Sequence, residues 1–291
     1  MTLSRRQVTD LLAANGLRPS RALGQNFVAD PNTVRRVARL AAVGPGDRVL
    51  EVGPGLGSLT LALAETGASV TAIEADRRLI GVLEDVTAGT GVRLVAGDAM
   101  TVDWSDLLGD QYGWVLVANL PYNIATPLIA GLLDSVAVIG RMLVMVQREV
   151  AERLAASVGQ DGYGAVSVKV AYWAEARMVG RVPPTVFVPQ PKVESALVSI
   201  HRRPEPAVDP AVVRAEVLFE VVRAGFATRR KMLRRSLAGL VTPAGFEAAG
   251  VSPQSRAEEL DVHAWGRLAA TMVNRAGAVG QPAPSEAAGG G

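Results

Sequence analysis

Short apolar runs alternate with helical patterns through the first half of the chain. Residues 48–51, 69–74, 92–96, 114–118 and 141–147 are nearly continuous in Val, Leu, Ile, Ala and Met. Such runs predict strands buried on both faces of a parallel sheet. Between them, residues 59–65, 77–86, 126–133 and 148–156 carry the apolar spacing of helices. Asp30-Pro31 reads as an N-cap followed by a first-turn proline, opening a helix that runs to about Ala42. Strand and helix in strict alternation predict an α/β domain with a doubly wound, mostly parallel sheet.

After the fifth strand the rhythm changes. Residues 165–172 and 194–201 read as two more strands, separated by a stretch holding Pro183, Pro184, Pro189 and Pro191. Two late strands without a long helix between them predict a seven-stranded sheet with an antiparallel edge. Pro204, Pro206 and Pro210 mark a linker, beyond which only helical patterns occur, over residues 211–224, 229–240 and 262–274. Four parts are expected: an N-terminal segment at 1–30 that contributes to the ligand site, a catalytic domain at 31–203, a small all-α domain at 204–275, and a tail at 276–291. The tail is too poor in large apolar side chains to pack and is expected to be disordered.

Composition narrows the chemistry. The 291 residues are 49% hydrophobic and 20% charged, with no cysteine and two histidines, His201 and His263. Disulfides, thiolate nucleophiles, Cys-ligated zinc and iron–sulfur clusters are excluded, and no metal site is expected. No apolar run approaches the roughly 20 residues of a membrane helix. The polar start has no signal core, so a cytoplasmic protein without membrane contact is expected. The net charge of +2 hides an asymmetry. Between positions 221 and 246 lie Arg223, Arg229, Arg230, Lys231, Arg234 and Arg235 with no acid; subtracting these six leaves −4 on the rest. On one helix spanning 229–240, Arg230, Lys231 and Arg234 would share a face while Met232 and Leu233 turn inward. A concentrated positive face on an otherwise acidic protein predicts a polyanionic partner.

The candidate ligand loop is Glu51-Val52-Gly53-Pro54-Gly55-Leu56-Gly57, between the first strand and its helix. Gly53, Gly55 and Gly57 allow a sharp turn and a close approach of ligand to backbone. Glu74 ends the next strand, where a carboxylate can accept both hydroxyls of a ribose. Asp98 ends the third and Asn119 the fourth. All four ends fall on one edge of a doubly wound sheet, where such folds bind ligands. Dehydrogenases also combine glycines with an acid, but this spacing is Gly-x-Gly-x-Gly behind a glutamate. With acids at the next two strand ends, it resembles the class I S-adenosylmethionine-dependent methyltransferases, in which the third-strand acid meets the adenine of the cofactor.

Asn119-Leu120-Pro121-Tyr122 delivers an amide, a rigid turn and an aromatic to that edge. An exocyclic amine conjugated to a ring is a poor nucleophile because its lone pair is delocalised. Acceptance of its two hydrogens by the Asn119 side-chain oxygen and the Leu120 carbonyl would pull it toward tetrahedral geometry and free that pair. Tyr122 would stack on the extruded base.

Taken with Leu23-Gly24-Gln25-Asn26-Phe27 and Phe187-Val188-Pro189-Gln190-Pro191-Lys192-Val193-Glu194-Ser195, these motifs resemble the KsgA/RsmA family of small-subunit ribosomal RNA adenine dimethyltransferases. The resemblance implies dimethylation of N6 on two adjacent adenines near the 3′ end of 16S rRNA in a small-subunit (30S) assembly intermediate, by a protein expected to act as a monomer. It also implies that Asn26, Val28, Gly53, Glu74, Asp98 and Asn119 contact S-adenosylmethionine, and that Phe187 sandwiches the target base opposite Tyr122. Two other functions stand beside this one: an Erm-type methyltransferase of 23S rRNA, and an assembly-binding factor whose methylation is incidental. The proline-rich motif favours the first reading.

Overall fold

The computed structural model describes residues 2–278. The chain opens with α1 (Arg5–Ala14), β1 (Phe27–Val28), α2 (Pro31–Ala41), β2 (Arg48–Val52), α3 (Ser58–Ala64), β3 (Ser69–Glu74) and α4 (Arg77–Thr87). It continues through β4 (Arg93–Ala96), α5 (Trp104–Leu108), β5 (Trp114–Asn119), α6 (Ala125–Ser135), β6 (Ile139–Gln147) and α7 (Arg148–Ala155). Then come α8 (Ala165–Trp173), β7 (Ala174–Val182), β8 (Phe187–Val188) and β9 (Ser195–Arg202). Four helices close the chain: α9 (Ala215–Ala227), α10 (Leu233–Ser236), α11 (Pro243–Ala248) and α12 (Val262–Ala278).

The main sheet has seven strands in the order β4-β3-β2-β5-β6-β9-β7. The first five run parallel, and β9 runs antiparallel to both β6 and β7. The antiparallel strand therefore sits one place in from the edge. The chain builds outward from β2 to β4, then returns to lay β5 on the other side of β2. That reversal opens a crevice at the carboxyl ends of β2 and β5, where open α/β sheets place their ligands. Five of the six residues of β5 are buried, so an uninterrupted apolar run was the right signal for it. The side chain of Asp30 accepts from Thr33 N–H at 2.8 Å and Pro31 fills the first turn, which starts α2 where the sequence puts it.

Two elements depart from the sequence reading. Residues 165–172 form helix α8, not a strand, and the strand that follows is β7. Val166, Val168 and Val170 alternate with Ser167 and Lys169, and Val168, Val170 and Tyr172 are all buried, so the segment imitates a strand although it is helical. Tyr172 packs edge-on against Phe219 of α9 with ring centroids 5.2 Å apart. The expected helix at 229–240 is reduced to the single turn α10. Leu233 and Arg234 N–H groups donate to the carbonyls of Ser255 and Pro253, at 2.8 and 2.9 Å, instead of to the preceding turn. A nearby loop thus takes the donors a longer helix needs.

The chain divides into two compact units: residues 1–156 with 173–204, and residues 157–172 with those from 205 onward. The helical unit therefore includes most of α8. Its core holds Trp265, fully buried, against Phe226, which in turn meets Tyr163. Residues 276–278 belong to α12, and the rest of the expected tail, from 279, lies outside the described residues.

Candidate active site

A cavity opens at the crevice between β2 and β5, walled by the loops after β2, β3, β4 and β5 and by residues 23–28. Gly55 sits at φ +63° with the Phe27 ring against it; a Cβ there would lie 2.7 Å from that ring. Glycine is therefore required for the N-terminal segment to close over the loop. Gly53, Gly55, Glu74, Asp98, Asn119, Leu120, Pro121, Tyr122, Asn26 and Val28 all line the cavity.

Two expected site residues are not among those that line the cavity. Gly57 does not line the cavity. Its φ of +87° turns the chain into α3, and a Cβ would press to 3.1 Å from Val86 of α4, so the helices need it. Phe187 does not line the cavity either and is fully buried. The β1–β8 ladder pairs it with Val28 and sends its ring into the core with Val182 and Leu197. The guanidinium of Arg5 donates to the carbonyls of Thr185 and Phe187, tying α1 to the proline-rich segment. In this arrangement Phe187 anchors that segment and does not face Tyr122 across the cavity.

Three carboxylates, Glu51, Glu74 and Asp98, stand in the cavity wall. Glu74 is buried; its two oxygens accept from Gly55 N–H at 3.0 Å and Asp76 N–H at 2.9 Å. Burial raises its pKa, and those two donors oppose the rise. Glu51, 1% exposed, is pushed up to about 8, mainly by burial and further by the charge of Glu74. Burial thus favours its protonated form. Its Oε2 and the Ser58 hydroxyl are buried without a partner at the cavity floor. Asp98 is exposed, with Oδ1 accepting from Met100 N–H at 2.8 Å. Among the described residues that line the cavity, none is basic.

On the opposite wall, Asn119 Nδ2 donates to the Asn26 carbonyl at 3.0 Å. Asn123 Nδ2 donates to the Ala22 carbonyl, and Gln25 Nε2 to Asp76 Oδ2 at 2.9 Å, so three amides fasten residues 22–26 across the strand ends. Asp76 is held near pKa 2, first by its hydrogen bond from Arg78. Sequence reasoning missed the fastening by Gln25 and the buried Glu51 and Ser58, although Gln25 and Glu51 stand inside the motifs quoted above.

These donors and acceptors suit an adenosyl sulfonium ligand. Glu74 can take a ribose diol, Asp98 an adenine amine, and the unpartnered Glu51 and Ser58 the polar end of an amino acid. A dinucleotide fits less well, since the Gly55 N–H that a glycine loop would offer a pyrophosphate is already donated to Glu74.

In the helical unit, Arg223, Arg230, Lys231, Arg234 and Arg235 are exposed and have no ion pair among the described residues. They stand on α9, on the turn after it and on α10, not on one helix face. Met232 is exposed where an inward side chain was expected, while Leu233 is buried. Arg229 differs from the others: its guanidinium pairs with Glu258 at 2.8 Å and donates to the Asp161 carbonyl at 3.1 Å. A backbone bridge from Met232 to Arg256 adds a basic residue that the run itself could not reveal.

The sequence matches the family model described as "Ribosomal RNA adenine dimethylase" over residues 17–273. It is 49% identical over 278 residues to the ribosomal RNA small subunit methyltransferase A of Cutibacterium acnes, covering 91% of this chain and 92% of that protein. It is likewise 49% identical to the protein of that name from Streptomyces coelicolor, covering 91% and 95%. Among solved structures, the 23S rRNA methyltransferase ErmE aligns with a TM-score of 0.67 at 27% identity, covering 85% of this chain and all of that one. A dimethyladenosine transferase from Plasmodium falciparum shares the fold with a TM-score of 0.71 at 23% identity, covering 83% and 95%. With the family model matching residues 17–273 and relatives 49% identical over nine-tenths of its length, the chain belongs to the ribosomal RNA adenine dimethylases.

Proposed function

We propose that this chain dimethylates N6 of two adjacent adenines near the 3′ end of 16S rRNA, using S-adenosylmethionine. It acts in the cytoplasm, as a monomer, on a small-subunit assembly intermediate. One observation carries the reading: an acid-lined, base-free cavity at the β2/β5 switch point, with the Asn119 amide fixed at its mouth. The small-subunit assignment rests on relatives of that name at 44–49% identity, against 27% for the 23S enzyme.

When bound, S-adenosylmethionine supplies an electrophilic methyl group. Glu74 holds the ribose, Asp98 the adenine amine, and Gly53, Gly55, Asn26 and Val28 close around the ligand. Because Asn119 Nδ2 is committed to the Asn26 carbonyl, its Oδ1 is the atom left for the target amine. Together with the Leu120 carbonyl it accepts the amine hydrogens and drives the nitrogen toward tetrahedral geometry. Pro121 fixes the turn, and Tyr122 stacks on the extruded adenine. No strong general base is needed, because the amine becomes acidic only after it carries the methyl group. Arg223, Arg230, Lys231, Arg234 and Arg235, joined by Arg256, contact RNA phosphates.

Mass spectrometry of 16S rRNA tests this after incubating purified protein with the methyl donor and unmethylated small subunits. Two adjacent N6,N6-dimethyladenines are expected. Methyl groups appearing only on 23S rRNA, or on neither RNA, would overturn the assignment. Stable binding to small subunits with no transfer would point instead to the assembly-factor role.

A further inference from the structure

Tyr122 reaches the cavity from the turn after β5, and its phenolic oxygen lies 2.9 Å from the hydroxyl of Ser195. Ser195 is fully buried and does not line the cavity. As the first residue of β9 it is paired on one side with Gln147 of β6 and on the other with Val182 of β7. Its backbone is therefore held from both flanks, and its hydroxyl is a fixed point. Just before it, the Glu194 carbonyl accepts from Arg148 N–H at 3.0 Å, and the Glu194 carboxylate meets the Arg148 guanidinium at 3.1 Å, which secures the end of the proline-rich segment.

A tyrosine ring rotates in a broad, two-fold well about its terminal torsion. Stacking on a base requires that the ring plane be set beforehand, since a tilted ring loses the offset overlap. We infer that Ser195 is a positioning residue for target recognition: it fixes the Tyr122 ring at the cavity wall by holding its hydroxyl, and so couples the proline-rich segment to the seating of the extruded adenine. The inference rests on the reading of Tyr122 as the stacking partner. The bond also accounts for a tyrosine at this position, because phenylalanine would stack equally well but would have nothing to hold it.

The test uses two readouts and a mutant cycle. Binding is followed with an RNA fragment carrying 2-aminopurine at the target position, whose fluorescence is quenched on stacking; turnover is followed on unmethylated small subunits. Ser195→Ala is expected to lose most of the quenching and to lower kcat roughly tenfold, while S-adenosylhomocysteine affinity stays within twofold. Tyr122→Phe removes the same bond from the other side and should match it, and the double variant should be no worse than either single one. Ser195→Thr, which keeps the hydroxyl, should restore quenching.

If Ser195→Ala and Tyr122→Phe both quench and turn over like the wild type while Tyr122→Ala does not, the positioning role is overturned and the stacking role survives. If Tyr122→Ala is also unaffected, stacking itself fails. Should Ser195→Ala not fold, Tyr122→Phe decides alone, since it leaves Ser195 in place.

Discussion

The side-chain amide of Asn119 donates to the backbone carbonyl of Asn26, 93 positions earlier in the chain, at 3.0 Å. The bond engages the amide nitrogen and leaves the oxygen as the acceptor of that side chain. Asn119→Ala is expected to lower turnover by about two to three orders of magnitude, the usual loss of one preorganised transition-state group. Cofactor affinity should change little. Steady-state kinetics with a parallel calorimetric titration checks both, and undiminished turnover would remove Asn119 from the chemistry.

Glu74 accepts two backbone N–H groups and still offers lone pairs to a ligand. Glu74→Gln keeps the shape but exchanges one charged acceptor for a donor. Cofactor affinity should fall about 10- to 100-fold, the worth of a hydrogen bond to a charged group, as read by calorimetry with S-adenosylhomocysteine. An unchanged dissociation constant would show that the ribose lies elsewhere.

Glu51 is pushed up to about 8 from an ordinary 4.5. A carboxyl with a raised folded-state pKa takes up a proton on folding, so its contribution is complete below about 4.5 and is lost as pH climbs toward 8. Glu51→Gln removes that dependence. At pH 8.5 the variant should melt several degrees or more above the wild type, whose carboxylate must ionise in a buried site, and the two should converge near pH 4.5. Parallel melting curves across the whole range would show that Glu51 is ionised.

Gly57 separates packing from ligand binding. Gly57→Ala forces a side chain into left-handed backbone and toward Val86. It is expected to cost about 1–2 kcal/mol of stability, visible as a lower melting temperature, with cofactor affinity in the folded protein preserved. Loss of affinity at unchanged stability would return Gly57 to the ligand site.

The three arginines Arg230, Arg234 and Arg235 are free of acid partners among the described residues, unlike Arg229. Replacing all three with Ala should weaken RNA binding and flatten the slope of log affinity against log salt by about two, at roughly 0.7 per phosphate for single strands. A slope equal to the wild type's would move the RNA footprint to another face.

The central strands and the ligand edge were legible because burial on both faces leaves an unbroken apolar run and because glycine, acid and amide mark each strand end. β3 occupies the residues read for it, 69–74. What was hidden lay in partners distant in sequence. Nothing local in residues 229–235 announces that Ser255 and Pro253 will take the donors of Leu233 and Arg234. Nothing in residues 165–172 announces that Tyr172 will pack against Phe219 of a later helix. The aromatic of the proline-rich motif was plain to see, but its pairing with Val28, which turns the ring inward, was not.

That short ribbon of β1 and β8 carries a consequence for how the protein is made. Phe27 and Asn26, which wall the cavity, are held by a strand whose partner is translated about 160 residues later, within one extended span of synthesis. A nascent chain that has exposed only the glycine loop and its neighbouring acids owns half a pocket. The β1 side of that pocket gains its strand partner only once residue 188 has emerged.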